Sequence, residues 1–116
     1  MASPFSANVR SHDGMAILDL QGEINIFAEQ AMNAAYSGAV QQDCKTILLN
    51  FRDATYINST GIALVVGLMA QARKSGRRLL ASGLSAHYQE IFKITRLADF
   101  MPIYADEVKA LAEVRS

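Results

Sequence analysis

The sequence predicts an α/β fold on a mixed β-sheet, and three observations carry the prediction. Residues 5–12 and 15–20 read as strands on either side of Asp13-Gly14, the two-residue signal that joins hairpin strands. Residues 46–51 hold the all-apolar run Ile47-Leu48-Leu49, which suits a strand covered on both faces. After that run, helix-like and strand-like patterns alternate to the end of the chain, the order that gives parallel strands linked by helical crossovers. The sheet is therefore expected to be antiparallel at the first hairpin and parallel afterwards.

Taken in order, residues 5–12 alternate loosely between apolar and polar side chains. Residues 15–20 are apolar at Met15, Ala16, Ile17 and Leu18, with Asp19 facing out. Residues 21–25 read as a turn. Residues 28–42 set Ala28, Ala31, Met32, Ala35 and Ala39 along one helical stripe. A second helix starts at Ser59 and runs through the apolar residues 62–72. Gly76 supplies its C-terminal cap, and Arg73 and Lys74 complement the negative end of its dipole. Residues 77–82 form the next strand around Leu79, Leu80 and Ala81. Ser85 caps a helix to about Leu97, with Tyr88, Ile91 and Phe92 on its inner face. Ile103-Tyr104 makes a short edge strand, and Asp106 opens a last helix to Val114. No linker, repeat or low-complexity segment interrupts this order, so residues 1–116 are expected to form a single domain.

Composition narrows the function. Of 116 residues, 51% are hydrophobic and 19% charged, which is globular rather than disordered. A chain of this size buries about two-thirds of its unfolded surface. Eleven basic residues balance 11 acidic ones, so no global field draws the chain onto nucleic acid or anionic lipid. Cys44 is the lone cysteine, which excludes an internal disulfide or a cysteine-based metal site. Residues 1–5 have neither a basic nor an apolar targeting segment, so a cytoplasmic location is expected. The longest apolar run, residues 61–70, falls well short of the roughly 20 residues a membrane span needs. Asn58-Ser59-Thr60 matches a glycosylation sequon, a coincidence in a chain that is not secreted.

The most informative run is Tyr56-Ile57-Asn58-Ser59-Thr60-Gly61, lying between a strand and an apolar helix. Its short polar side chains can satisfy the N–H groups orphaned at a helix start. They also place two hydroxyls at the positive end of the helix dipole, where an added phosphate would be stabilised. Ser59 can then be a charge switch, gaining about −1.5 to −2 charges on phosphorylation. Read without that role, it is a capping or first-turn serine contributing about 1 kcal/mol to stability.

This run resembles the Asp-Ser-Ser/Thr-Gly motif of the STAS domain, the anti-sigma-factor antagonist family. Leu20-Gln21-Gly22-Glu23-Ile24-Asn25 resembles that family's Gly-Glu-Leu/Ile-Asp turn, and Ile47-Leu48-Leu49-Asn50-Phe51-Arg52-Asp53 its central strand. Phe92-Lys93-Ile94-Thr95-Arg96-Leu97 and Phe100-Met101-Pro102-Ile103-Tyr104 resemble its C-terminal signature. The four pieces fall in the family's order across nearly the whole chain.

The resemblance implies a STAS-type mixed sheet of four to five strands with about four helices, largely on one face. It implies a non-enzymatic, cytoplasmic protein-binding switch. The unphosphorylated form would bind an anti-sigma factor that is also a serine kinase. Phosphorylation at Ser59, with Thr60 the weaker candidate, would break that complex, and a PP2C-type phosphatase would restore it. The partner-binding surface would comprise Glu23, Asn25, Asn58, Ser59, Thr60, Gly61, Leu64 and Leu68. Nucleotide and magnesium would belong to the kinase, leaving this chain without a cofactor. Three departures stand out: Asn58 and Asn25 replace the family's usual Asp, and Arg96 stands where the family often has Gly. Asn58 keeps the capping oxygen and removes the charge beside the acceptor. The alternative that Asn58 and Asn25 favour is a constitutive STAS interaction subunit, for instance accessory to a transporter or a scaffold.

The helix after Ser59 carries more apolar residues than one face needs. Ile62, Val65, Val66 and Met69 are expected in the core. Leu64 and Leu68 fall on the far side, either covered by neighbouring elements or forming a contact patch for a partner. The basic group Arg73, Lys74, Arg77 and Arg78 has no interleaved aromatics and reads as a solvated face, not a nucleic-acid site. His12 and His87 lack ligand spacing, so no metal site is expected. The chain has no Gly-x-x-x-x-Gly-Lys loop, no Gly-x-Gly-x-x-Gly turn and no Gly-x-Ser-x-Gly elbow around Ser59. Asp53, at the end of a central strand, lacks the acidic pair a receiver domain would need. No catalytic residue is expected.

Overall fold

The computed structural model describes residues 5–115. Residues 1–4, which belong to the stretch read as lacking a targeting segment, lie outside that range, as does residue 116. Strand β1 (Ser6–His12) pairs antiparallel with β2 (Met15–Ile24). Asp13 and Gly14 between them both take positive φ, 51° and 79°, the geometry of a two-residue hairpin turn. A 3₁₀ turn (Ile26–Ala28) then leads into α1 (Glu29–Gln41), followed by β3 (Thr46–Ile57), α2 (Ser59–Lys74) and β4 (Arg78–Ser82). Helix α3 (Ala86–Ile94), a second 3₁₀ turn (Leu97–Asp99), β5 (Ile103–Tyr104) and α4 (Glu107–Arg115) complete the order. The sheet runs β1-β2-β3-β4-β5, and every pairing after the first is parallel.

That order decides where the helices go. Parallel strands are joined by right-handed crossovers, and a sheet that grows in one direction places every such crossover on the same face. Helices α1, α2 and α3 accordingly share one face. Met32, Tyr36, Val65, Leu68 and Phe92 pack there with Leu18, Leu20, Ile47, Leu49, Phe51 and Ala81. The alternate side chains Met15, Ile17, Leu48 and Leu80 point to the opposite face, where Ala110, Leu111 and Val114 of α4 cover them. The run Ile47-Leu48-Leu49 is buried on both sides, as its apolar character requires.

Two strands are longer than the sequence suggests. Residues 21–25 read as a turn, but β2 continues to Ile24 through register shifts at Asp19/Gln21 and Gly22/Glu23, with Gly22 at φ 90°. The irregularity breaks the period-two alternation that would have revealed the strand. Strand β3 does not stop at Phe51 but runs to Ile57. Past Asn50 it leaves β4 and pairs with β2 alone, which is why Arg52, Asp53, Thr55 and Tyr56 are exposed. The Ile57 N–H, without a strand partner on that side, donates to the Tyr88 hydroxyl at 2.9 Å. Helix α3 ends at Ile94, short of Leu97, because Arg96 adopts a left-handed conformation at φ 65°. Glycine takes that conformation without strain, whereas here the Arg96 guanidinium bonds Asp99 at 2.8 Å. Among the described residues no helix is long and apolar enough to cross a membrane.

Beyond the apolar contacts, α4 is tied down by charge. Arg10 on β1 reaches both Asp19 on β2, at 2.9 Å through one terminal nitrogen, and Glu107 on α4. Asn50 on β3 donates to the same Asp19 carboxylate at 2.8 Å. The Arg10 hydrogen bond, with a smaller contribution from Asn50, holds the Asp19 carboxyl below its ordinary value of 3.8, against the opposing effect of burial. A depressed folded-state pKa contributes stability above the unfolded value and loses it as pH falls through the folded one. Asp19→Asn should therefore lower stability by about 1 kcal/mol at neutral pH and by progressively less below pH 3.8, read from thermal melts of both proteins across the acid range.

Candidate functional site

Strands β2 and β3 are parallel neighbours that end together, Ile24 opposite Ile57. The chain therefore leaves both strands at the same edge of the sheet, and at each exit an asparagine starts a helical segment. Asn25 accepts from the Phe27 N–H at 2.9 Å, and Asn58 accepts from the Gly61 N–H at 2.8 Å. Both caps have extended backbones, the conformation from which a short polar side chain reaches forward onto the first turn. The exits are bonded to each other as well, because the Asn58 N–H donates to the Ile24 carbonyl at 3.2 Å.

Gly61 makes that approach possible. A Cβ at this position would sit 2.1 Å from the Ile24 carbonyl oxygen and 2.9 Å from its carbon. Any side chain would push the first turn of α2 away from the end of β2. Gly61 is itself buried, so its part in the motif is close backbone approach, and it is withdrawn from the expected contact residues.

Ser59 is the first residue of α2 and is exposed, while Thr60 is half-buried. With Asn58 performing the capping, the Ser59 hydroxyl makes no hydrogen bond among the described residues. The backbone N–H groups of Ser59 and Thr60 belong to the first turn and have no partner within the helix. The site therefore offers an unengaged hydroxyl at the positive end of a 16-residue helix, with unpaired donors beside it.

Of the residues expected at a partner surface, Glu23, Asn25, Asn58, Ser59 and Thr60 do come together at this edge. Glu23 is half-buried beside Asn25, whose amide lies 3.5 Å from its carboxylate. Leu68 does not belong to the surface: it is 1% exposed and packs in the core. Leu64 is half-buried against the same core. The buried line of α2 is Gly61, Val65, Leu68 and Ala72, so Val66, expected inside, is instead 41% exposed. The apolar groups that do face solvent here are Ile26, Phe27 and Tyr56, exposed by 55%, 88% and 53%. The first two follow the Asn25 cap in a 3₁₀ turn packed against α2, and Tyr56 is paired with Glu23. The sequence carries a signal for them, since Ile26 and Phe27 precede the apolar stripe of α1 and are surplus to it. Among the described residues, no group of three or more His, Cys, Asp or Glu side chains could hold a metal ion.

Comparison with known proteins agrees with this arrangement. A family model described as STAS domain matches residues 6–110. An anti-sigma F factor antagonist of Paenibacillus polymyxa is 24% identical over 104 residues, 89% of each chain. The solved structure of the anti-sigma factor antagonist SpoIIAA in its unphosphorylated form superposes with a TM-score of 0.70 at 25% identity, covering 97% of this chain and 98% of that one. A sulfate transporter family protein from Wolinella succinogenes superposes with a TM-score of 0.78 at 18% identity, covering 91% and 88%, a likeness of fold.

The Gly61 contact yields a direct expectation. Gly61→Ala should destabilise the fold by about 3 kcal/mol, more than other single-methyl additions, because the clash is with backbone that cannot rotate away. Chemical denaturation measures it. Gly67→Ala in the same helix, where an added Cβ meets nothing within 4 Å, is the control and should be neutral or stabilising.

Proposed function

The chain belongs to the STAS domain family, and we propose that it acts as a protein-binding switch of the anti-sigma-factor antagonist kind, set by phosphorylation of Ser59. In its unphosphorylated form it binds an anti-sigma factor that is also a serine kinase, which frees the sigma factor. Phosphorylation by that kinase breaks the complex, and a PP2C-type phosphatase resets it. Thr60, half-buried, is the lesser acceptor. The chain performs no catalysis of its own and works in the cytoplasm as a single domain.

The observation that carries this reading is the division of labour at the start of α2. Asn58 holds the helix and Ser59 holds nothing, so a phosphate on Ser59 changes charge without removing a structural bond. The helix dipole and the free first-turn N–H groups stabilise the added charge on the chain itself. A partner seated over that edge would instead have to desolvate a dianion, which opposes binding. The contact surface consists of Glu23, Asn25, Asn58, Ser59, Thr60 and Leu64, with Phe27 and Ile26 supplying the apolar anchor that Leu68 does not. The likeness to anti-sigma factor antagonists supports an anti-sigma factor as the partner.

The second reading, a constitutive interaction subunit such as a transporter accessory, draws on the fold likeness to the sulfate transporter family protein and on the uncharged Asn58 and Asn25. One experiment separates the two. Wild type, Ser59→Ala, Ser59→Asp and Phe27→Ala are used as baits in lysate of the native host, with each bait's melting temperature measured in parallel. The switch predicts an anti-sigma kinase held by wild type and Ser59→Ala. It is lost from Ser59→Asp and weakened about tenfold or more by Phe27→Ala, with melting temperatures little changed. Equal capture by wild type, Ser59→Ala and Ser59→Asp would leave the constitutive subunit.

A further inference from the structure

The two edges of the sheet are built differently. The β5 edge is two residues long, too short to template another strand. The β1 edge runs for seven residues without a bulge, and residues 5–12 contain neither proline nor lysine, so it lacks the usual protections of an exposed edge. Its free groups follow from the hairpin. With both turn residues at positive φ, His12 and Met15 form the hydrogen-bonded pair that closes a two-residue turn. Arg10 and Asn8 follow it at every second residue in bonding to β2, which leaves the N–H and C=O groups of Ala7, Val9 and Ser11 pointing outward. Among the described residues no backbone group meets them there.

The surface beside this edge is nearly free of net charge. With His12 neutral, Arg10 is the one charged side chain of residues 5–12, and Asp19 and Glu107 of the same chain engage it on the face away from α1. On the other face α1 packs over β1 and β2. Residues 30–42 hold no charged side chain, in a chain that is 19% charged, although Gln30, Asn33, Ala34, Ser37 and Gln41 are exposed. An exposed helix face ordinarily carries charge. The flank of α1 over the edge is also low. A Cβ on Gly38 would stand 3.8 Å from the Val9 side chain, and Ala34 and Ala31 lie one and two turns back on the same flank.

We propose that β1 pairs antiparallel with β1 of a second copy of this chain, about a two-fold axis through Val9, joining two five-stranded sheets into one. This register uses every outward group: Val9 faces Val9 and Ala7 faces Ser11, each pair exchanging two hydrogen bonds. Residues beside a two-fold axis meet their own counterparts, so a charge there repels itself. Here Arg10 falls opposite Asn8 of the second copy and Ser6 opposite His12, so no like charges oppose. A register centred on Arg10 instead would set the two guanidinium groups against each other. The charge-free face of α1 and the engaged Arg10 thus suit a second copy and offer nothing to a charged partner. Strands about 4.8 Å apart bring the two α1 helices to about 10 Å, a packing distance that Ala31, Ala34 and Gly38 permit. The contact lies on β1, whereas Ser59 follows β3, so its test does not depend on the switch.

The test is sedimentation equilibrium of the full chain from about 10 μM to about 1 mM, the range of weak reversible association. Amide hydrogen exchange is measured by NMR at both ends of that range. The expected mass rises with concentration from 12.6 kDa toward twice that value. The Ala7, Val9 and Ser11 amides gain protection as it rises, whereas Asn8 and Arg10, already bonded to β2, do not change. Ala34→Glu, at an exposed position, should weaken the dimer about tenfold or more by setting like charges across the axis, with the melting temperature of dilute protein little changed. Ser11→Pro removes an outward donor and no bond to β2, and should abolish the dimer. A mass of 12.6 kDa at every concentration would overturn the proposal. So would a dimer in which those three amides exchange freely, or one that Ala34→Glu leaves intact, because its interface would then lie elsewhere.

Discussion

The architecture around Ser59 depends on one close approach, the first turn of α2 against the last peptide of β2. The Ile24 carbonyl accepts from the Asn58 N–H and lies where a Cβ of residue 61 would be. Because Gly61 has none, β2 and β3 can end side by side with their two asparagine caps adjacent. Asn58 then satisfies the helix start with its own side chain, and the neighbouring hydroxyl is left without a structural duty. A switch needs a group whose modification alters a surface and spares the core, and this geometry provides one. Ser59 and Gly61 thus hold their places for two separate physical reasons: exposure for the serine and contact distance for the glycine.

Strand order supplies the frame for that contact. A sheet that adds each parallel strand on the same side sends all its crossover helices to one face and leaves the other to the last helix. The C-terminal ends of β2 and β3 and the N-terminus of α2 consequently share one end of the molecule. The C-terminal ends of α1 and α2 share the other. Ser59 and the C-terminal end of its helix are thus separated by the length of α2, 16 residues or about 24 Å. On the far face, the Arg10–Asp19–Glu107 cluster does what the few apolar residues of α4 cannot do alone, linking that helix to the first hairpin.

Much of this was legible in the residues, for identifiable reasons. Asp13-Gly14 fixed the hairpin because few other pairs accept two positive φ values in a row. Ile47-Leu48-Leu49 marked a strand covered on both faces, and Asn58 followed by Ser59 marked a helix start. The extent of β2 and β3 was not legible, since one strand bulges and the other runs on through polar residues with no neighbour on its outer side. The buried face of α2 is illegible for a different reason. Two of its four buried positions are Gly61 and Ala72, which carry little apolar weight, while the bulky Ile62 and Val66 lie off the line. A helix apolar around most of its circumference gives no clear stripe, so the spacing puts Leu68 on the far side although it lies in the core.

The most direct test of the central claim, that Ser59 is a free hydroxyl serving as a switch, is phosphate occupancy in the native host. The protein would be isolated from growing, stationary and stressed cells, and its phosphorylation mapped by intact mass and peptide fragmentation. The account predicts a single phosphoryl group on Ser59, present in a fraction that changes with condition. Protein carrying no phosphate in any condition, or phosphate at other residues with Ser59 bare, would contradict it.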